Sequence, residues 1–167
     1  MNLSYLELAI GTVNPTEYDY PEPLILHDAC LYHNRARIPF SIINEEHWHF
    51  YKTFTCRYKI LQVHLHAPRK NAIDESAIKT QVEKLMNFLE LPVLIEIMPS
   101  PEYHYACPEI SPDVPIVLDI SHAHIWARGN ETSTQKYVQR LLPHANCIHL
   151  SYNDGYRDTH DLIPQDS

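Results

Sequence analysis

Two stretches decide how this chain is read: VLDISHAHIW, residues 117–126, and CIHLSYNDGYRDTHD, residues 147–161. Each begins as a short apolar run and ends in a burst of aspartate and histidine. Asp119 and His122 form a D-x-x-H pair, His149 follows Ile148, and Asp158 and His160 form D-x-H. An apolar strand that delivers carboxylate and imidazole at its C-terminal tip is how a β/α protein builds a metal site.

Working outward, the same arrangement recurs upstream. Apolar runs predict strands over Met1–Thr12, Pro23–Ala29, Lys59–Ala67, Leu91–Met98, Ile116–Ile120 and Asn146–Leu150. Between them, Ser41 or Asn44 can cap a helix running toward Phe54, with Glu45 and Glu46 in its first turn. The spacing of Ile78, Val82, Leu85, Met86 and Leu89 predicts a helix over Asp74–Leu89. A further helix over Thr132–Leu142 is stopped by Pro143. The proline-rich segments Val13–Pro23 and Pro99–Pro115 read as loops.

Strands alternating with helices imply a parallel sheet, and strands this apolar are expected where both faces are covered. In such folds the site gathers at the strand C-termini. His27, His64 or His66, Glu96, Asp119 with His122, and His149 all fall there. His64 and His66 lie two apart, so both project to one face. Either supplies the third-strand ligand, the other serving as its partner. Glu7 reads as a salt bridge in the floor of the sheet, Cys147 as a packed thiol, and Trp48, Phe50, Tyr51 and Phe54 as helix packing.

Composition sets bounds on this reading. With 167 residues the chain is expected to form a single domain, residues 1–167. A net charge of −8 gives a nucleic-acid partner no help from bulk electrostatics. Twelve histidines, dispersed rather than run together, are an excess that metal ligation explains. Cys30, Cys56, Cys107 and Cys147 show no C-x-x-C spacing, and no secretory leader is read. Free thiols in a reducing, cytoplasmic compartment are expected, and no run is long enough to span a membrane.

The donors Glu96 and Asp119 are hard oxygens, and the histidines supply imidazoles. Mixed nitrogen and oxygen donors suit iron, zinc or manganese. So many candidates exceed the needs of one ion, so two or three are expected, bridged by a carboxylate, foremost Glu96.

The order His27, His64, Glu96, D-x-x-H, His149, D-x-H resembles the xylose-isomerase-like TIM-barrel superfamily. That group includes endonuclease IV, sugar isomerases and epimerases, and the multinuclear non-haem iron oxidases that modify peptides. The oxidases are locally the most similar, over LIEIMPSPEY (94–103), VLDISHAHIWARGN (117–130) and YVQRLLPHANCIHLSYNDGYRDTHD (137–161). The sequence departs from them at Ser121 and His122, where they carry Asn-Asn, and at Ile97, where they carry Asn.

The resemblance implies metal ligands at His27, His64, Glu96, Asp119, His122, His149, Asp158 and His160. It implies an α/β, TIM-barrel-like fold. Because the chain carries only about six parallel strands where a closed barrel has eight, a shortened, incomplete barrel is expected. The function expected is that of a metal-dependent enzyme, foremost an iron-dependent oxidase of a peptide or small molecule. Alternatives are a sugar isomerase or epimerase, an endonuclease IV-like phosphoesterase, or a degenerate, non-enzymatic subunit of an assembly. Isomerisation is disfavoured by the lack of a strand-eight glutamate. An open edge predicts a homo-oligomer or a partner chain that covers it.

Overall fold

The computed structural model describes residues 6–9, 23–27, 30–33, 36–106 and 112–163. It is a mixed α/β arrangement built on one six-stranded sheet. The strands are β1 (Leu6–Ala9), β2 (Leu24–His27), β5 (Ile60–His66), β6 (Val93–Glu96), β7 (Ile116–Asp119) and β8 (Ala145–His149). They lie side by side in the order in which they occur along the chain, and every neighbouring pair is parallel. These are the six strands expected from the sequence. A separate antiparallel hairpin, β3 (Cys30–His33) with β4 (Ala36–Pro39), was not expected. Most of the expected loop 13–23, part of 99–115, and the side chains of Cys30, His33 and Cys107 fall outside the described residues.

The sheet is curled into part of a barrel. Glu7 on β1 and His149 on β8 belong to opposite edges of the sheet, yet their side chains meet at 3.0 Å. Six flat strands at the usual spacing would hold those edges about 24 Å apart, more than two side chains can reach across.

The register explains which residues face inward. Parallel partners share a face, and residues two apart along a strand do too. Ala9 pairs with His27, His27 with His64, His66 with Glu96, Glu96 with Val117, and Asp119 with His149. Glu7, His27, His64, His66, Glu96, Asp119 and His149 therefore line one concave face. The alternate residues Leu24, Leu26, Val63, Leu65, Val93, Ile95, Ile116 and Leu118 form the core on the convex face.

Helices cover that convex face. Helix α2 (Glu75–Leu89) buries Ile78, Val82, Leu85 and Leu89, the stripe its sequence spacing predicts. It ends where Glu90 takes a left-handed backbone at φ 61°. Helix α1 (Trp48–Arg57) follows a 3-10 turn at Glu45–His47 and buries Trp48, Tyr51 and Phe54, with Tyr51 stacked on Phe40 at 3.6 Å. Fully burying a side chain such as Leu85 or Ile95 stabilises the fold by roughly 1.5–3 kcal/mol.

Several element boundaries differ from expectation by a residue or more, and one of them shapes the site. β7 stops at Asp119, and Ile120–Trp126 forms a helix, α3. The Asp119 side chain accepts from the backbone N–H groups of Ser121 and His122, capping α3 and turning the chain off the strand. Helix α4 (Glu131–Leu141) is capped by Asn130, whose side chain accepts from Ser133 N–H. At the far edge, Ile148 and Leu150, on and just after β8, are 47% and 62% exposed. Among the described residues no helix is long and apolar enough to cross a membrane.

Candidate metal centre

The eight residues singled out in the sequence lie along this concave face, on helix α3 (His122) or in the loop beyond β8. They fall into two groups. The inner group collects side chains from five strands around Glu96, which is fully buried. His27 Nε2–H donates to Glu96 Oε2 and His149 Nδ1–H to Glu96 Oε1, each at 2.8 Å. His66 Nε2 stands 3.2 Å from Glu96 Oε2. His64, also fully buried, directs Nδ1 at His149 Nε2 at 3.0 Å, while its Nε2 meets the Gln62 side-chain amide at 2.7 Å. Both third-strand histidines thus reach the group.

The outer group sits where α3 meets the loop after β8. His122 Nδ1–H donates to the backbone carbonyl of Ile97 at 2.6 Å, which fixes the ring and aims Nε2 at Asp158 Oδ2, 3.2 Å away. His160 Nε2 lies 3.1 Å from Asp158 Oδ1. Asp119 stands between the groups, its Oδ2 4.0 Å from His122 Nε2. One donor atom from each of Glu96, Asp119 and His149 also falls within 4.8 Å of the other two.

The loop carrying Asp158 and His160 is pinned to α3. Asn153 is buried; its Nδ2 donates to Ser121 O and its Oδ1 accepts from Gly155 N–H. Gly155, at φ +79°, packs so closely on Gly129 that a Cβ there would lie 2.3 Å from Gly129 Cα.

Glu7, read from the sequence as a salt bridge, does form ion pairs, and its partners are three histidines of the inner group. Its Oε1 stands 3.0 Å from His149 Nε2, 3.3 Å from His27 Nδ1 and 3.4 Å from His64 Nδ1. The signal was there: one acid in an otherwise apolar strand of a histidine-rich chain. Cys147 also brings its thiol within 4.8 Å of donor atoms of His64 and His149. Outside these two groups, His104 bonds the Ile73 carbonyl and His124 meets the Thr134 hydroxyl.

The electrostatics are those of a tightly coupled set. Burial alone would raise the Glu96 carboxyl, but the imidazoles of His149, His27 and His66 hold it well below the usual range. Glu7 behaves alike, burial being outweighed by His149 and His64. Burial would discharge His149, yet Glu7 and Glu96 push it up to about 10. His122 is raised against its burial by Asp158, Asp119 and Glu96.

This network leaves two carboxylate oxygens without an aligned donor. Among the described residues, Asp119 Oδ2 and Glu7 Oε1 are buried without a hydrogen-bond partner. A carboxylate oxygen held from water without an aligned donor is costly, and a cation held beside it would lower that cost. Imidazole and carboxylate together suit iron, zinc or manganese. A cleft of ≈ 280 Å³, lined by Glu7, His27, Asp119, His149 and His160 and rimmed by Ile148 and Leu150, opens the centre to solvent.

No family model matches the chain, and none of the curated proteins or solved structures compared with it gives a match. Function is therefore argued from the site itself.

Proposed function

We propose that this chain is a metal-dependent enzyme acting on a small molecule or peptide at a multinuclear centre. Iron-dependent oxidation is the reading to pursue first. The observation that carries the proposal is the convergence of His27, His64, Glu96, Asp119 and His149, from five strands, on one concave face beside buried carboxylate oxygens that accept no hydrogen bond among the described residues.

His27, His64 and His149 would hold an inner ion, with Glu96 orienting their rings, and His122, Asp158 and His160 would hold an outer one, with Asp119 lying between the two groups. Bound there, such ions supply Lewis acidity and, if iron, one-electron chemistry with dioxygen. The chain's own residues do the rest. The Ile97 carbonyl fixes the His122 tautomer. Glu96 sets the tilt of three imidazoles. The small cleft admits one end of a substrate and keeps the centre partly shielded from water. The exposed Ile148 and Leu150 on the uncovered edge support a covering chain, a second copy or a partner.

Elemental analysis of untagged protein, with stoichiometry per chain, tests the reading. Two or more equivalents of iron, followed by substrate-dependent oxygen consumption, support it. Zinc or manganese in place of iron directs the assignment to hydrolysis or isomerisation. No metal after reconstitution overturns it in favour of a non-enzymatic subunit.

A further inference from the structure

The two carboxylates of the inner group are paired in different ways. Glu96 is a satisfied acceptor: His27 and His149 each aim an N–H at one of its oxygens at 2.8 Å. Glu7 Oε1 is closely surrounded, by His149 Nε2 at 3.0 Å, His27 Nδ1 at 3.3 Å and His64 Nδ1 at 3.4 Å. Yet it is buried and, among the described residues, none of these nitrogens makes an aligned hydrogen bond to it. An ion pair built for its own sake would resemble the one at Glu96. His64 Nδ1 and His149 Nε2 meet each other at 3.0 Å, but nitrogens that crowd a carboxylate oxygen without aligning on it leave a point between them and it where a cation would fit.

Four of the six separations among these atoms fit that point. A tetrahedral ion with bonds of about 2.0–2.1 Å sets its ligand atoms about 3.3–3.4 Å apart. The three Glu7 distances, together with 3.0 Å between His64 Nδ1 and His149 Nε2, lie at or slightly below that spacing. Glu96 bonds the opposite nitrogens of His27 and His149 and so turns the ligating nitrogens toward Glu7, the usual task of a carboxylate behind a metal-bound histidine.

We propose that Glu7 is the carboxylate ligand of the inner ion, completing with His27, His64 and His149 a site for one divalent transition-metal ion at the seam between β1 and β8. The inference rests on the metal reading above and goes beyond it by assigning the ligand and a structural task. The ion joins the two edges of an unclosed sheet, so its capture stabilises the fold as well as supplying chemistry.

The test uses the whole chain, stripped with a chelator and titrated with Zn²⁺ alone. Stoichiometry, affinity and Tm are compared for wild type, Glu7→Gln, Glu7→His and His160→Ala. Wild type is expected to bind at least two equivalents and to gain Tm on loading. Glu7→Gln loses one equivalent, or binds it more than about 100-fold more weakly, beyond the roughly 10–100-fold seen when an orienting residue is lost. It also loses most of the Tm gain. His160→Ala loses a different equivalent and keeps that gain. Glu7→His, which restores a donor atom but not the negative charge, recovers the inner equivalent; a simple ion-pair role would not be rescued this way. If Glu7→Gln fails to fold, Glu7→His decides. Unchanged stoichiometry and affinity in Glu7→Gln, or no recovery in Glu7→His, overturns the assignment while leaving the metal reading intact. A wild type that binds no Zn²⁺ overturns both.

Discussion

Glu7 and His149, on the first and last strands of the sheet, meet at 3.0 Å between Glu7 Oε1 and His149 Nε2. The contact makes the two edges of an open sheet neighbours. On its other side the same imidazole reaches Glu96, so His149 stands between two carboxylates. Removing His149 leaves both short of a partner.

His149→Ala is therefore expected to lower metal content and to destabilise the metal-free protein by about 3 kcal/mol, on the order of 10 °C in Tm. Far-UV circular dichroism should retain the helix signal, since no helix depends on this side chain. Unchanged metal content would remove His149 from the ligand set.

Asp119→Asn separates capping from ligation. The asparagine oxygen can still accept from Ser121 and His122 N–H and cap α3. What is lost is the charge and the unpaired Oδ2. Metal stoichiometry should fall, while the Tm of the metal-free protein moves by no more than a change of about 1 kcal/mol allows. A large Tm loss with full metal retention would assign Asp119 to the fold instead.

Stability of the metal-free protein should depend on pH in a defined sense. Glu7 and Glu96 lie below their ordinary value of 4.5, so their contribution is complete above about that pH and fades as pH falls. His149 is raised from 6.5 to about 10, so its contribution is complete below about 6.5 and is lost as pH rises to 10. Chelated protein should thus be most stable between these limits and lose up to about 1.4 kcal/mol per pH unit in the alkaline range. Metal-loaded protein should show the opposite alkaline trend, since binding displaces protons from the imidazoles. Thermal unfolding from pH 5 to 10, with and without metal, checks this. A flat alkaline limb for the chelated protein would show that His149 does not carry the charge.

Gly155→Ala should break the outer group without touching a ligand. The added Cβ would come within 2.3 Å of Gly129 Cα, at a backbone φ of +79°. The left-handed backbone costs about 1–2 kcal/mol and the overlap about 1–3 kcal/mol more. The loop bearing Asp158 and His160 must move, so one equivalent of metal is expected to be lost while the inner one remains. Retention of full stoichiometry would mean that the loop is not positioned by this contact.

Much of the architecture was legible in the sequence because burial on both faces leaves near-continuous apolar runs, as in VLIE and IVLD. The candidate ligands were legible because polar residues at the ends of such runs stand out. Two features were hidden for physical reasons. Helix α3 has only seven residues, too few to show a helical period, so Ile120 read as the end of a strand. Glu7 sits in the chain 142 residues before His149, and no local pattern announces that the sheet curls far enough to bring them together. Its inclusion in the inner group follows from closure of the sheet, which local propensity does not encode.

The strands enter the sheet in the order of synthesis. Glu7, His27 and His64 leave the ribosome early, whereas His149, Asp158 and His160 come last among the donors. A nascent chain interrupted before β8 holds an imidazole–carboxylate trough with one wall missing, and the wall that arrives last brings the residue shared by both carboxylates. On the metal reading proposed above, capture of the ions requires the chain through residue 160, since shorter fragments lack the full set of candidate donors.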